Sequence, residues 1–397
     1  MSIVVPAGFR FSSVSCGIKQ DTTREDLTLI VTDAPAVGVG VYTQNLVYAA
    51  PVAVDRQRTP AADIRVVVAN SGNANACTGA RGIQDAEAMA RMAAEACRAQ
   101  PHQALVMSTG IIGQFLPMER IAAGIRDAAS SLGADPASFD RAAQGILTTD
   151  RGSKVAGRVL ELNDRTIHLA GMAKGAGMIG PRMATMLAVI LTDARLEVAD
   201  AQDCLVAAVA DSFNCISVEG HTSTNDTVLL LANGAADGPP LTGSSLQSFQ
   251  ASLREVCIEL AKMIPEDGEG ASHRIAIEVR GAATRDDAHR IARTIADSAL
   301  VKTAIAGGDP NWGRIVSAAG YAGVAFDPDR LSLSINGTRL YQLGQPVEFD
   351  ASATSRSIQE HRETHLLLEL HEGSASVTFW TSDLTVDYVR INAEYHT

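Results

Sequence analysis

Apolar residues recur along this chain in two rhythms. Over Ile83–Ala99, Met118–Ala129, Ala201–Phe213, Ser245–Met263 and Arg285–Ala299 they fall three and four positions apart, which lines one face of a helix. Between and after these segments lie short runs rich in Val, Ile and Leu. They predict strands at Leu27–Val31, Val37–Tyr42, Arg65–Ala69, Ala104–Met107, Lys154–Leu162, Thr185–Leu191, Thr227–Ala232, Arg274–Val279, Arg330–Ile335, His365–Leu370 and Ser376–Trp380. Strands with helices between and after them predict layered α/β or α+β packing. Two places break the pattern and predict lobe boundaries: the loop before Thr185, and Val301–Arg314, which contains A-G-G-D-P-N-W-G-R. From about residue 316 the chain reads as a smaller strand-rich lobe. Its final strand is expected to run through V-D-Y-V-R-I-N-A-E-Y-H-T to the end.

The junction at Thr185 stands out. Gly175, Gly177, Gly180 and Pro181 make the stretch from Lys174 to Ala184 a poor helix and a poor strand, while Met186–Leu191 reads as an interior strand. Thr is a good strand former, so a strand-opening Thr is also an ordinary structural choice. A hydroxyl at the head of a core strand, after a permissive loop, suits a further chemistry. Cleavage of the bond between Ala184 and Thr185 would put nucleophile and base on one residue.

Composition narrows the function classes. The 397 residues are 46% hydrophobic but only 4% aromatic, so a core of small aliphatic side chains is expected. A formal net charge of −12 argues against a broad nucleic-acid footprint. No apolar run is long enough to span a bilayer, and M-S-I-V-V-P-A-G-F lacks the features of a signal peptide, so a cytoplasmic location is expected. The six cysteines form no C-x-x-C and are expected to be reduced. His361 and His365 lie four apart without an evident third ligand, and no metal is predicted.

Other strings carry candidate chemistry. Ser108-Thr109-Gly110 follows a strand run; the Gly110 N–H and the Thr109 hydroxyl could serve an oxyanion, or the string could be an ordinary turn. Lys174, eleven positions before Thr185, reads on its own as a solvated lysine in a glycine loop. Glu266–Ala271, E-D-G-E-G-A, crowds three carboxylates around two glycines and reads otherwise as a solvated acidic turn. Asn70–Ala76, Thr222–Asp226 and Asp309–Arg314 read as tight turns held by side-chain-to-backbone bonds.

The string K-G-x-G-M-I-x-P-x-M-A-T-M-L around Thr185 closely resembles the processing site of the ornithine acetyltransferase, or glutamate N-acetyltransferase, family of arginine biosynthesis. The resemblance recurs along nearly the whole chain. It implies a four-layer αββα sandwich similar to the N-terminal-nucleophile hydrolases, plus a smaller C-terminal α/β lobe. It implies an alpha chain of residues 1–184 and a beta chain of residues 185–397, paired as α₂β₂. By the same resemblance Thr185 is the nucleophile and Thr109 and Gly110 form the oxyanion hole. Thr148, Lys174, Thr185, Glu269, Asn392 and Thr397 bind substrate. For the threonine contact the residues themselves leave Thr148 and Thr149 open. The implied reaction moves acetyl from N-acetylornithine to glutamate, with no metal or redox cofactor. Whether acetyl-CoA also serves as donor is left open.

The chain departs from the family pattern in four places: Arg182 for Asn, His221 for Asp, Gly308 for Cys, and Glu394-Tyr395-His396 for Asp-Tyr-Arg. None removes a proposed nucleophile, oxyanion donor or Lys174; Arg182 and His396 bear on substrate preference. Two rival readings remain at this stage: a self-processing amidase or aminopeptidase with the same nucleophile, and a non-catalytic binding protein on the same scaffold.

Overall fold

The structure, a computed structural model, describes residues 3–162, 165–180 and 186–394. In chain order its first half runs β1 (Phe9–Val14), β2 (Leu27–Tyr42), α1 (Ala50–Arg58), β3 (Ala61–Asn73), α2 (Gly79–Ala96), β4 (Ala104–Ile111), α3 (Met118–Ser130), α4 (Pro136–Gly145), β5 (Lys154–Glu161) and β6 (Thr166–Lys174). There follow β7 (Leu187–Thr192), α5 (Val198–Ala210), β8 (Ile216–Ser217), β9 (Thr227–Ala232), α6 (Gly243–Glu266), β10 (Arg274–Ala282), α7 (Arg285–Ala296), α8 (Ala299–Ala306) and α9 (Trp312–Gly320). The chain closes with β11 (Ser332–Ile335), β12 (Thr338–Gln342), β13 (Gln345–Pro346), α10 (Ala351–Glu360), β14 (Glu363–Glu369), β15 (Ala375–Ser382) and α11 (Val386–Glu394).

The first sheet has the order β4-β3-β2-β9-β7-β6-β5, with β1 also paired to β2. The long strand β2 turns it into two leaves. Its first half pairs β1 and β3 and its second half pairs β9, with the β2–β3 register shifting between Val31 and Ala36. Side chains alternate across each strand, and the interior strands of both leaves are buried on both faces, whereas the edge strand β5 is partly exposed. Ile30, Val67 and Leu105 of one leaf meet Met172, Val189 and Leu229 of the other. The rings of Phe11 and Phe139 meet there edge-on, 5.2 Å between centroids. On the outer faces Leu29, Val66 and Val106 pack under α1, α2 and α3. Ile190 and Leu230 share a core with Leu205 of α5 and with Phe249, Val256 and Leu260 of α6. The layers are therefore helix, sheet, sheet, helix, in keeping with the fold class expected from the sequence. Helix α6 also contacts β8 and β15 of a second sheet, ordered β13-β12-β11-β14-β10-β15-β8 and covered in part by α7.

Three expectations need correction. The two strands expected at Leu27–Val31 and Val37–Tyr42 are one bent strand. The second sheet does not begin near residue 316: β10 is one of its interior strands, and β8, at its edge, lies further upstream still. The segment 301–314 is internal to that lobe, where Asn311 caps α9 by accepting the Arg314 N–H at 3.2 Å. The closing strand is instead helix α11, as far as residue 394. Val386 and Val389 lie three apart, as on one helix face, whereas Val389 and Ile391 lie two apart, as on one strand face. The neighbouring sheet edge is already taken, because Trp380 and Thr381 of β15 pair with β8. A segment without a sheet edge satisfies its backbone internally, as a helix.

The Thr222–Asp226 turn ties the leaves together. Asn225, buried, donates from Nδ2 to the carbonyls of Ala74 at 2.7 Å and Ser108 at 2.8 Å. Asn225→Ala would leave both acceptors without that donor, at a cost of about 2–4 kcal/mol. The thermal midpoint should fall by roughly 2–5 °C; a midpoint within about 1 °C of the parent in differential scanning calorimetry would show that these bonds hold nothing together.

Candidate active site

The end of β4 supplies the first part of the site. β3 and β4 run parallel, with Ser71 beside Thr109 and Gly72 beside Gly110. Gly110 has φ +129°, and a Cβ there would come within 2.3 Å of the Gly72 carbonyl carbon, so only glycine fits. Thr109 is 2% exposed. The Asn225 side chain holds the carbonyl of Ser108 just before it.

Lys174 ends β6 and pairs with Leu187 at the start of β7. It is also only 2% exposed. Its Nζ donates to Thr109 Oγ1 at 3.4 Å and lies 3.9 Å from Asp150 Oδ2. An ammonium only donates, so Thr109 Oγ1 accepts here and keeps its own proton for another partner. Burial lowers the Lys174 pKa, and the Asp150 charge opposes that shift. Burial by itself would push the Asp150 carboxyl up; Lys174 and Lys154 hold it instead well below the usual carboxylate range. Asp150 accepts from Lys154 Nζ at 2.7 Å, from the Gly175 N–H at 2.6 Å and from the Thr148 N–H at 3.1 Å.

A second cluster lies on the far side of the glycine loop. The Glu269 N–H donates to the Ala176 carbonyl at 2.9 Å. A Cβ on Gly177 would come within 2.6 Å of the Glu269 carboxylate carbon, so the glycine lets that carboxylate sit against the loop. Asn392, on α11, donates from Nδ2 to Glu269 Oε2 at 3.1 Å. Glu269 also acts electrostatically on Lys174, which links the two clusters.

Two further carboxyls bracket the junction. Glu219 Oε1 accepts the Ile179 N–H at 2.6 Å, and burial pushes its pKa up to about 8, against the pull of that bond. Asp226 Oδ1 accepts the Met186 N–H at 3.0 Å. Asp226 is fully buried, which raises its pKa well above the ordinary value, and its Oδ2 has no hydrogen-bond partner among the described residues.

Of the residues singled out in the sequence, Thr109 and Lys174 are in contact, Gly110 and Thr148 line one cavity, and Glu269 and Asn392 are hydrogen-bonded. Ala184, Thr185 and Thr397 lie outside the described residues, as do Arg182 and His396. Asp150, Asp226 and Glu219 were missed by sequence reasoning. Asp150 directly follows the Thr148-Thr149 pair, and Asp226 closes a string read only as a turn. Lys19 and Arg24, which share the cavity with Gly110 and Thr148, come from a polar loop with no recognisable pattern. Among the described residues no group of three or more His, Cys, Asp or Glu is arranged to hold a metal ion, and no helix is long and apolar enough to cross a membrane. The six cysteines are unpaired.

Known proteins match this chain along its length. The profile of the ArgJ family matches residues 10–397. The arginine biosynthesis bifunctional protein ArgJ of Rhodopirellula baltica is 46% identical over 399 residues, covering 100% of this chain and 97% of that protein. That of Geobacter sulfurreducens is 46% identical over 392 residues, covering 98% and 99%. The crystal structure of arginine biosynthesis bifunctional protein ArgJ from Bacillus halodurans is similar with a TM-score of 0.50 and 38% identity, over 51% of this chain and 96% of that one. A match of this extent, on a chain whose sheet ends bring Thr109 against Lys174, makes the protein a member of the ArgJ family.

Proposed function

We propose that this protein is a self-processing acetyltransferase that carries the acetyl group of N2-acetyl-L-ornithine to L-glutamate through an ester on Thr185. The observation that supports it most is the buried contact of Lys174 with Thr109, at the sheet end where β7 begins two residues after Thr185. The arginine-biosynthesis names of its relatives point the same way.

In the first reaction the Thr185 hydroxyl attacks the Ala184 carbonyl. The peptide nitrogen leaves as the new α-amine, and water then hydrolyses the ester, releasing the Ala184 carboxylate and restoring the hydroxyl. The freed amine has a reference pKa of about 7.7–8, so a useful fraction is neutral near pH 7 and takes the proton of its own hydroxyl. In the catalytic cycle Thr185 attacks the acetyl carbon of the donor. The Thr109 hydroxyl, free to donate because Lys174 occupies it as an acceptor, and the Gly110 N–H stabilise the tetrahedral oxyanion. Ornithine leaves with the proton. Glutamate enters, its amine attacks the ester, and N-acetylglutamate departs. Lys174 suits the α-carboxylate common to both amino acids, and Glu269, oriented by Asn392, suits the ornithine ammonium. Thr148 and Thr397 complete the proposed substrate contacts, in an α₂β₂ enzyme without a metal or redox cofactor. Acetyl-CoA as a second donor would make it bifunctional.

An N-terminal-nucleophile amidase would share every step up to the acyl-enzyme and differ in the group that resolves it. Release of free acetate in place of transfer to glutamate would decide for that reading.

Intact mass under denaturing conditions should show two pieces, 1–184 and 185–397, from active protein. A single species of 41.7 kDa with full activity would end the self-processing claim. Thr185→Ala should abolish both cleavage and transfer, and Thr185→Ser should keep part of each. Thr109→Val should lower kcat about 10²–10³-fold in processed enzyme, the usual cost of one oxyanion donor; an unchanged kcat would remove Thr109 from that role.

Glu219 holds the loop that leads to the junction, and its proton is bound more tightly in the folded chain than in the unfolded one. Its contribution to stability is therefore complete below about pH 4.5 and is lost as pH rises towards about 8. Glu219→Gln should remove that loss. The thermal midpoint of the variant, measured against the parent at pH 5 and pH 8, should gain on the parent at the higher pH. A difference constant across that range would show that Glu219 does not titrate there.

A further inference from the structure

The cavity beside the oxyanion loop holds two cations that the reaction above does not use. It encloses about 220 Å³, and its lining includes Lys19, Asp21, Arg24, Gly110 and Thr148. Lys19 sits in the loop between β1 and β2, half-buried, and that loop is rigidly built. The Asp26 carboxylate accepts the N–H groups of Cys16 at 2.7 Å, Ile18 at 2.6 Å and Lys19 at 3.0 Å. Lys19 Nζ donates to the Glu25 carbonyl at 2.6 Å, which leaves two of its three protons for other acceptors. Arg24 donates from one Nη to the Thr148 carbonyl at 2.8 Å and retains further donors. The one lining carboxylate among these residues, Asp21, is turned to the Thr23 N–H and hydroxyl at 3.0 and 2.6 Å. Lys19 also feels the charge of Lys174, so the cavity is electrostatically continuous with the Lys174–Thr109 contact.

Two amino acids must use this centre in turn. They share an α-amine and an α-carboxylate and differ at the far end, an ammonium on one and a carboxylate on the other. Glu269 suits the ammonium and repels the carboxylate. The second end therefore needs a place of opposite charge, and the cations lie on the Gly110 side of Lys174.

We propose that this cavity is an anion subsite in which Lys19 and Arg24 take the side-chain carboxylate of the acceptor amino acid. The inference rests on the acetyl-transfer reading. A phosphate of a CoA thioester donor offers the same chemistry, but the cavity is smaller than the about 300–1,000 Å³ of pockets for drug-sized ligands, which favours the end of an amino acid.

The test uses processed enzyme carrying Lys19→Met, Arg24→Gln or both. Exchange of labelled ornithine into N-acetylornithine, without glutamate, reads the donor half-reaction. The KM for glutamate, and the preference for glutamate over glutamine, read the acceptor half. Glutamate KM should rise at least about 10-fold, the loss expected of a charge-assisted contact. The glutamate preference should fall by a similar factor, while exchange changes far less. Equal losses in both halves, or an unchanged glutamate KM, would overturn the subsite. A raised KM for acetyl-CoA but not for a short acetyl thioester without phosphates, at constant glutamate KM, would assign the cations to the donor and overturn the acceptor carboxylate. Parent enzyme that exchanges no ornithine would refute the acetyl-transfer reading instead. Calorimetric binding of glutamate to parent and variants needs no turnover, and equal affinities there would overturn the subsite independently.

Discussion

A lysine as deeply buried as Lys174 keeps its charge only beside a compensating carboxylate, and Asp150 is that group. Taking two ions out of water costs several kcal/mol each, and the interior returns this only where the remaining donors and acceptors are satisfied. Asp150 meets that condition through Lys154, Gly175 and Thr148. Much of the site's placement depends on this network. Through Gly175 it fixes the start of the glycine loop, and through Thr148 it fixes a wall of the cavity. Lys154 carries it further, to Asp267 at 2.6 Å, two residues before Glu269. One carboxylate thus sets the relation between the cation beside Thr109 and the acidic turn that carries Glu269. Removing Asp150 alone would strand the Lys174 ammonium in the interior and leave Lys154 with Asp267 only, so the network is as much a condition of folding as of chemistry.

The layered fold was legible because most of its strands are buried on both faces, and such strands appear as unbroken apolar runs. Thr227–Ala232 is the clearest case, with the same limits in sequence and structure. β1 and β6 were not read, since F-R-F-S-S-V and T-I-H-L-A-G-M-A-K mix polar and small residues into the run. They become strands because paired neighbours need them: β6 lies between β5 and β7, and β1 follows the first half of β2. The tail was misread for the complementary reason. Its composition permits strand or helix, and only the occupied edge of β15 decides between them. Lobe limits were hardest, because a loop with Gly and Pro looks alike whether it separates lobes or joins two helices within one.

The site was legible where a motif carried it and illegible where only geometry does. Thr109, Gly110 and Lys174 stand in strings that can be recognised, and the structure places them at one sheet end. Glu269 and Asn392 are 123 positions apart and meet because α11 packs over the acidic turn; Thr385 Oγ1 donates to the Gly270 carbonyl at 2.7 Å just before that helix. Asp226 and Glu219 had no such string. A carboxylate in a turn of Ser, Thr and Asn is the ordinary signature of a turn, and nothing in one dimension says that it reaches Met186. Lys19 and Arg24 were the least visible, since a lone cation in a polar loop gains meaning only from the cavity it faces.

The positions of those two carboxyls bear on the proposed cut. Glu219 binds the backbone at Ile179 and Asp226 binds it at Met186, so the chain is gripped on both sides of residues 181–185. Past the proposed cut, β7 is paired to β6 on one side and to β9 on the other, and its side chains fill the core between the leaves and the core under α5 and α6. None of these contacts runs through the bond between Ala184 and Thr185. A break there removes one covalent constraint and leaves every hydrogen bond of the flanking strand in place. The proposed cut would therefore need no refolding of the flanking strand, because the position of β7 is set by pairing and burial and not by chain continuity.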